Sequence, residues 1–157
     1  MTGAVQDFYP DDFSHCYGCG RLNTHGLHVR THWDGDETVS RYTPQAWEIA
    51  VPGFVYGGLI ASLIDCHAMG TAAAATLRAA GQEIGAAPSP RFVTASFRVD
   101  FVQPTPLGPE LVIRARVRQA SERKVVVDAT VSAGEAITAR GEAVAVRMPA
   151  TMASGSR

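Results

Sequence analysis

One carboxylate in this 157-residue chain sits where a charge is costly. Asp65 lies inside FVYGGLIASLIDCHAMGT, residues 54–71, a run with no other Asp, Glu, Lys or Arg. An ionised carboxylate in such a setting needs partners or a task. The same run opens on Gly57-Gly58. A helix that starts there presents unpaired backbone N–H groups at its positive end, and glycine lets a ligand approach them closely. That pairing suits acyl transfer. The Gly57 N–H is a candidate donor to polarise a carbonyl oxygen. Asp65 is a candidate nucleophile, through a mixed anhydride, or a general base on water.

The element carrying both groups reads as one helix over residues 57–80. Leu59, Ile60, Leu63 and Ile64 form a broad apolar side, while Asp65 falls nearly opposite among Gly58, Ala61, Met69 and Ala72. A helix apolar almost all round is buried almost all round. Asp65 therefore faces either the chain's own sheet or another subunit. Strands are predicted on both sides of this helix. Before it, 27–33 alternates with Leu27, Val29, Thr31 and Trp33 on one face, turns at 34–36 and returns over 37–42. After it come 91–102, with Val93, Ala95, Phe97, Val99 and Phe101 on one face, then 111–118, 125–131 and 136–148. Short turns join the later strands, which makes them antiparallel. Two strands, a long helix and four strands give an α+β layer architecture, an antiparallel sheet of about six strands against one helix. The chain divides into an N-terminal segment packed on the domain (1–26), one domain (27–149) and a flexible tail (150–157).

Composition narrows the function. Net charge is −1, with 46% hydrophobic and 18% charged residues. This is a globular chain with no electrostatic case for nucleic acid or an anionic membrane. No apolar run is expected to reach bilayer-spanning length, and the acidic N-terminus has no signal-peptide pattern, so the expected compartment is cytoplasmic. Three cysteines, an odd number, argue against a disulfide framework. Cys16-x-x-Cys19 is a usable metal-ligand pair, but no second such pair exists, and the sequence reading assigns no metal. The two cysteines read as packing in the N-terminal segment, and Cys66 as a small buried hydrophobe. His67 reads as a core histidine. It lies about 200° from Asp65 around the helix, so the two do not form a dyad.

The strand order and several motifs resemble the PaaI-like acyl-CoA thioesterases of the hotdog-fold superfamily. The carriers are Gly53-Phe54-Val55-Tyr56-Gly57-Gly58, Ile60-Ala61, Leu63-Ile64-Asp65, and Val99-Asp100-Phe101 followed by Pro104. Cys16-x-Gly18-Cys19-Gly20, Asn23 and Gly26-Leu27 resemble the leader of many bacterial members. Tyr56 stands where the family usually has His, Ala50 where many members have Asn or Gln, and Met69 where some have Thr or Ser. The resemblance implies a sheet wrapped around a central helix and hydrolysis of acyl-CoA to free acid and CoA. It implies a homodimer or dimer of dimers, with Gly57 and Asp65 of one site contributed by different subunits. Tyr56, Gly58 and Met69 become candidate substrate contacts. No cofactor is expected beyond the coenzyme A of the substrate. Its phosphates call for cations, of which Arg91, Arg98, Arg123 and Lys124 are candidates and the Arg123-Lys124 turn is preferred. A non-catalytic acyl-CoA or acyl-carrier binding protein is the alternative, favoured by Tyr56 and Ala50. A hotdog dehydratase would need a His paired with an acid, which His67 does not supply.

Overall fold

The computed structural model describes residues 3–153. Its central element is helix α1, Gly57–Ala79. Alanine, leucine and isoleucine dominate it, and its glycines lie at the start and at one close contact. The helix ends as sequence chemistry requires. Gly81 takes φ +71°, its N–H bonds Arg78 O at 2.9 Å, and the Gln82 N–H reaches Leu77 O at 2.9 Å. These are the paired bonds of a Schellman cap.

Six strands form one antiparallel sheet: β1 (His32–Asp34), β2 (Glu37–Tyr42), β3 (Phe92–Phe101), β4 (Leu111–Ala120), β5 (Lys124–Ala133) and β6 (Ala136–Arg147). The spatial order is β1-β2-β4-β5-β6-β3, so β1 and β3 are the edges. The helix packs across β3, β4, β5 and β6. Its bulky side, with Leu59, Ile60, Leu63 and Ile64, meets Leu111, Ile113, Val127, Val131 and Ala143 in the core. At the closest approach, a Cβ on Gly141 of β6 would lie 2.6 Å from Ile64 Cγ2. The opposite face of the sheet is charged: Arg114 pairs with Asp34 and Glu37, Arg116 with Glu37, and Arg118 with Asp128 and Glu142. Such exposed pairs add little stability and keep that face solvated. This is the hotdog arrangement.

Three expectations change. The predicted 27–33 strand shrinks to His32–Asp34. Leu27, Val29 and Thr31 are buried as the alternation requires. However, the N-terminal segment takes their backbone bonds: Leu27 N–H to Tyr17 O, Val29 N–H to Gly18 O and Val5 N–H to Thr31 O. His28, at φ +54°, breaks the extended run. In β3, a bulge between Thr94 and Ser96 interrupts the single predicted face. Finally, α1, at 23 residues, does meet the length and apolarity of a membrane span, contrary to expectation. Its burial against the sheet is that of a core helix. Within the segment predicted as a tail, residues Ala150–Ala153 form a short helical turn, α2. Residues 154–157 lie outside the described residues.

The N-terminal segment lies against the strands and the helix. Val5 and Tyr9 enter the core, and Gln6 bonds both the Thr31 backbone and its hydroxyl, at 2.8 and 3.0 Å. Beneath it, His67 is fully buried between hydroxyls: Ser40 Oγ at 2.6 Å and Thr31 Oγ1 at 3.2 Å from Nδ1, and Thr38 Oγ1 at 3.1 Å from Nε2. Burial pushes its pKa down to about 3, so it is a neutral core histidine.

Candidate active site

Asp65 sits on the one side of α1 that the sheet leaves open. Gly57, Gly58, Ala61, Ser62 and Asp65 are all half-buried, while the residues between them are buried. The Thr94 hydroxyl on β3 donates to Asp65 Oδ1. Burial raises the carboxyl pKa above its ordinary value, and the nearby Cys16 adds to the rise. The Thr94 hydrogen bond and the Arg91 guanidinium pull it back. A carboxylate held by one donor and partly desolvated keeps Oδ2 for chemistry and a raised basicity to use there.

The other end of the chemistry is built separately. Tyr56 is the N-cap residue, at φ −60° and ψ 128°, and its side chain caps nothing. The first amides of α1 have no acceptor within the helix. Gly57 lines a cleft of about 570 Å³ whose walls are mostly apolar, with Val51, Phe54, Val55, Ile60, Phe101 and Val102 beside the polar Gln103 and Thr105. A Cβ on Gly57 would stand 3.4 Å from the Phe101 ring. Gly57 and Asp65 are eight residues apart on one helix, hence about 12 Å along its axis. Within one chain the two groups are thus more than two helical turns apart.

The remaining predicted residues fall in separate places. Tyr56 is 57% exposed and lies over Gly58, whose added Cβ would meet its ring at 2.5 Å. With Gly58, Glu48 and Ser62 it lines a smaller cleft of about 210 Å³. Glu48 is occupied there by the Tyr42 hydroxyl at 2.8 Å and the Gln45 N–H at 2.7 Å. Met69 is only 4% exposed and packs in the core one turn beyond Asp65. Arg123 and Lys124 are exposed and line a cleft of about 590 Å³ with Arg147. Lys124 pairs with Val146, one row from the Val125–Ala145–Thr94 row of the sheet. Two strand spacings place it about 10 Å from Thr94. Arg98 pairs with Asp100, and Arg91 turns inward.

Two features escaped the sequence. Thr94 is one, and its hydroxyl between Val93 and Ala95 is the signal a sequence offers for it. The second is that Cys66, fifty residues from Cys16, meets it at 3.8 Å between sulfurs. Hydrogen bonds from the Cys19 and Cys66 thiols, then the Cys19 and Gly18 backbone N–H groups, hold the Cys16 thiol far below its usual range. Cys19 is pushed up to about 12 by its hydrogen bond to Cys16.

The family model for the thioesterase superfamily matches residues 52–140. The chain belongs to the thioesterase superfamily. Among solved structures it is similar to a thioesterase superfamily protein from Shewanella loihica PV-4, at 42% identity and TM-score 0.68, covering 88% of this chain and 98% of that one. The PaaI protein of the Escherichia coli phenylacetic acid degradation operon shares the fold at 19% identity and TM-score 0.61, covering 78% and 81% of the two chains. So does smu.793 of Streptococcus mutans UA159, whose structure holds acetyl CoA, at 16% identity and TM-score 0.59, covering 76% and 88%. Comparison with curated proteins gives no match.

Proposed function

We propose that this protein hydrolyses acyl-CoA thioesters at a site shared between two copies of the chain. The observation that carries the proposal is Asp65: a half-buried carboxylate, held by Thr94, on an uncovered helix face. In this reading, the thioester carbonyl oxygen accepts the N–H of Gly57 from one copy. Asp65 of the other copy either deprotonates a water that attacks carbon, giving the free acid as CoA departs, or attacks carbon itself to form a mixed anhydride that a water then hydrolyses to free acid and regenerated carboxylate. The tetrahedral oxyanion collapses, the C–S bond breaks, and CoA leaves as thiolate to take up a proton. The apolar cleft beside Gly57 suits an acyl chain, and the Arg123-Lys124 turn suits the CoA phosphates.

Three observations support a second copy as the partner of the open face. The 12 Å gap within one chain needs it. The edge strand β3 is unpaired on its outer side, and exposed edges require cover. Around them large apolar side chains are exposed: Val51, Phe54 and Val102 by the Gly57 cleft, and Phe97 and Phe101 on β3.

The test is thiol release from a panel of short, long and aromatic acyl-CoAs. Turnover by wild type, lost in an Asp65→Asn protein of unchanged circular dichroism, is the expected result. Undiminished hydrolysis by that variant would remove Asp65 from the reaction. Tight acyl-CoA binding with no turnover of any panel member would leave a binding protein instead.

A further inference from the structure

Asp65 has a neighbour that the hydrolytic reading does not use. Cys16, Cys19 and Cys66 converge, with all three sulfurs within 4.8 Å of one another. Cys16 and Cys19 come from the N-terminal segment and Cys66 from the middle of α1. The segment is folded tightly to allow this. The Gly20 N–H closes on Cys16 O at 2.7 Å, and a Cβ on Gly18 would lie 2.1 Å from Cys66 Sγ, so only glycine fits between the two elements.

We infer that Cys16, Cys19 and Cys66 form a three-thiolate site for a zinc-class cation that clamps the N-terminal segment to α1 beside Asp65. The spacing is the first argument. Zinc–sulfur bonds of about 2.3 Å at a tetrahedral angle put two sulfurs about 3.8 Å apart. The Cys16–Cys66 separation is 3.8 Å, whereas a disulfide needs about 2.0 Å. Donor chemistry is the second. A set of sulfurs alone selects zinc or copper(I) over magnesium or calcium. Charge is the third. Three thiolates and a divalent ion carry −1, and the half-buried Arg91 guanidinium has Cys16, Cys19 and Cys66 as electrostatic neighbours. Cys16 is the least buried of the three, which leaves the fourth tetrahedral position for water or an outside ligand. Binding displaces the thiol protons to solvent. Every contact in the argument is independent of acyl-CoA turnover, so the site stands or falls apart from the proposed reaction.

The test uses the full chain, purified under reducing conditions without chelator. Elemental analysis should find about one zinc per chain, and Co²⁺ exchange should give thiolate-to-cobalt charge transfer with tetrahedral d–d bands. Zinc should also protect all three thiols from alkylation until a chelator removes it. Single Cys16→Ser, Cys19→Ser and Cys66→Ser variants should lose the cobalt spectrum. Where one of them fails to fold, cobalt titration of wild type against a competing chelator decides. The inference is overturned if reduced wild type binds no metal, or binds no more than the triple serine variant. It is equally overturned if wild type binds cobalt without a thiolate band, or if the isolated protein carries a Cys16–Cys66 disulfide and takes up no metal after reduction.

Discussion

Replacing Gly57 by proline would remove the backbone N–H from the proposed chemistry and put a ring carbon in its place. Proline is favoured at the first position of a helix, where the amide has no intrahelical acceptor. Tyr56 already holds the extended conformation, φ −60° and ψ 128°, that a residue before proline prefers. The helix should therefore form as before, while the carbonyl loses its backbone donor. Removing one oxyanion donor costs about 2.7–4 kcal/mol, or roughly 10²–10³ in kcat. Gly57→Ala is the matched control: it keeps the N–H, and its Cβ would make ordinary contact with the Phe101 ring at 3.4 Å. Steady-state thiol release should fall at least about tenfold further for proline than for alanine. Equal rates for the two variants, at matched circular dichroism, would refute Gly57 as the donor.

Other consequences are open to measurement. Arg123→Ala with Lys124→Ala should raise KM for acyl-CoA by roughly thirtyfold, since two charge-assisted phosphate contacts at about 1 kcal/mol each sum to about 2 kcal/mol. The same pair should leave truncated thioesters without the nucleotide unaffected. Equal changes for both substrates would move the CoA phosphates elsewhere. His67 makes stability pH-dependent. Its folded pKa of about 3 lies below the unfolded value of 6.5, so the unfolded chain binds the proton first. Stability is complete above about pH 6.5 and declines as pH falls toward 3, by an amount on the order of 4 kcal/mol. Chemical denaturation across that range should show the slope, and His67→Asn should flatten it. An unchanged slope in the variant would assign the loss to other groups. Gly141→Ala should cost about 1–3 kcal/mol, because its Cβ would meet Ile64 across the core. A thermal shift within error of wild type would contradict that packing.

Periodicity alone located nearly every element. The long helix, the turn glycines after it and the four later strands were legible because local signals agree with one another there. The first strand was misread because its alternation is real while its hydrogen bonds go to the N-terminal segment, a tertiary choice that spacing does not record. Asp65 was legible as a charge in an apolar run. Its partner Thr94 was not, since a bulge in β3 decides which side chains reach the helix. The cysteine cluster was hidden for the same reason: a pair at spacing three is visible, and a third thiol fifty residues on is not. The Arg123-Lys124 turn was legible as charge, and the structure adds its cleft.

The two-copy site can be tested by mixing defective chains. Asp65→Asn and Gly57→Pro should each be nearly inactive alone. If the acid and the amide come from different chains, random reassortment makes half of the dimers mixed, each with one intact site, and restores about one quarter of the wild-type rate per chain. If both groups served from one chain, every mixed site would keep one defect, and the mixture would stay as inactive as its components.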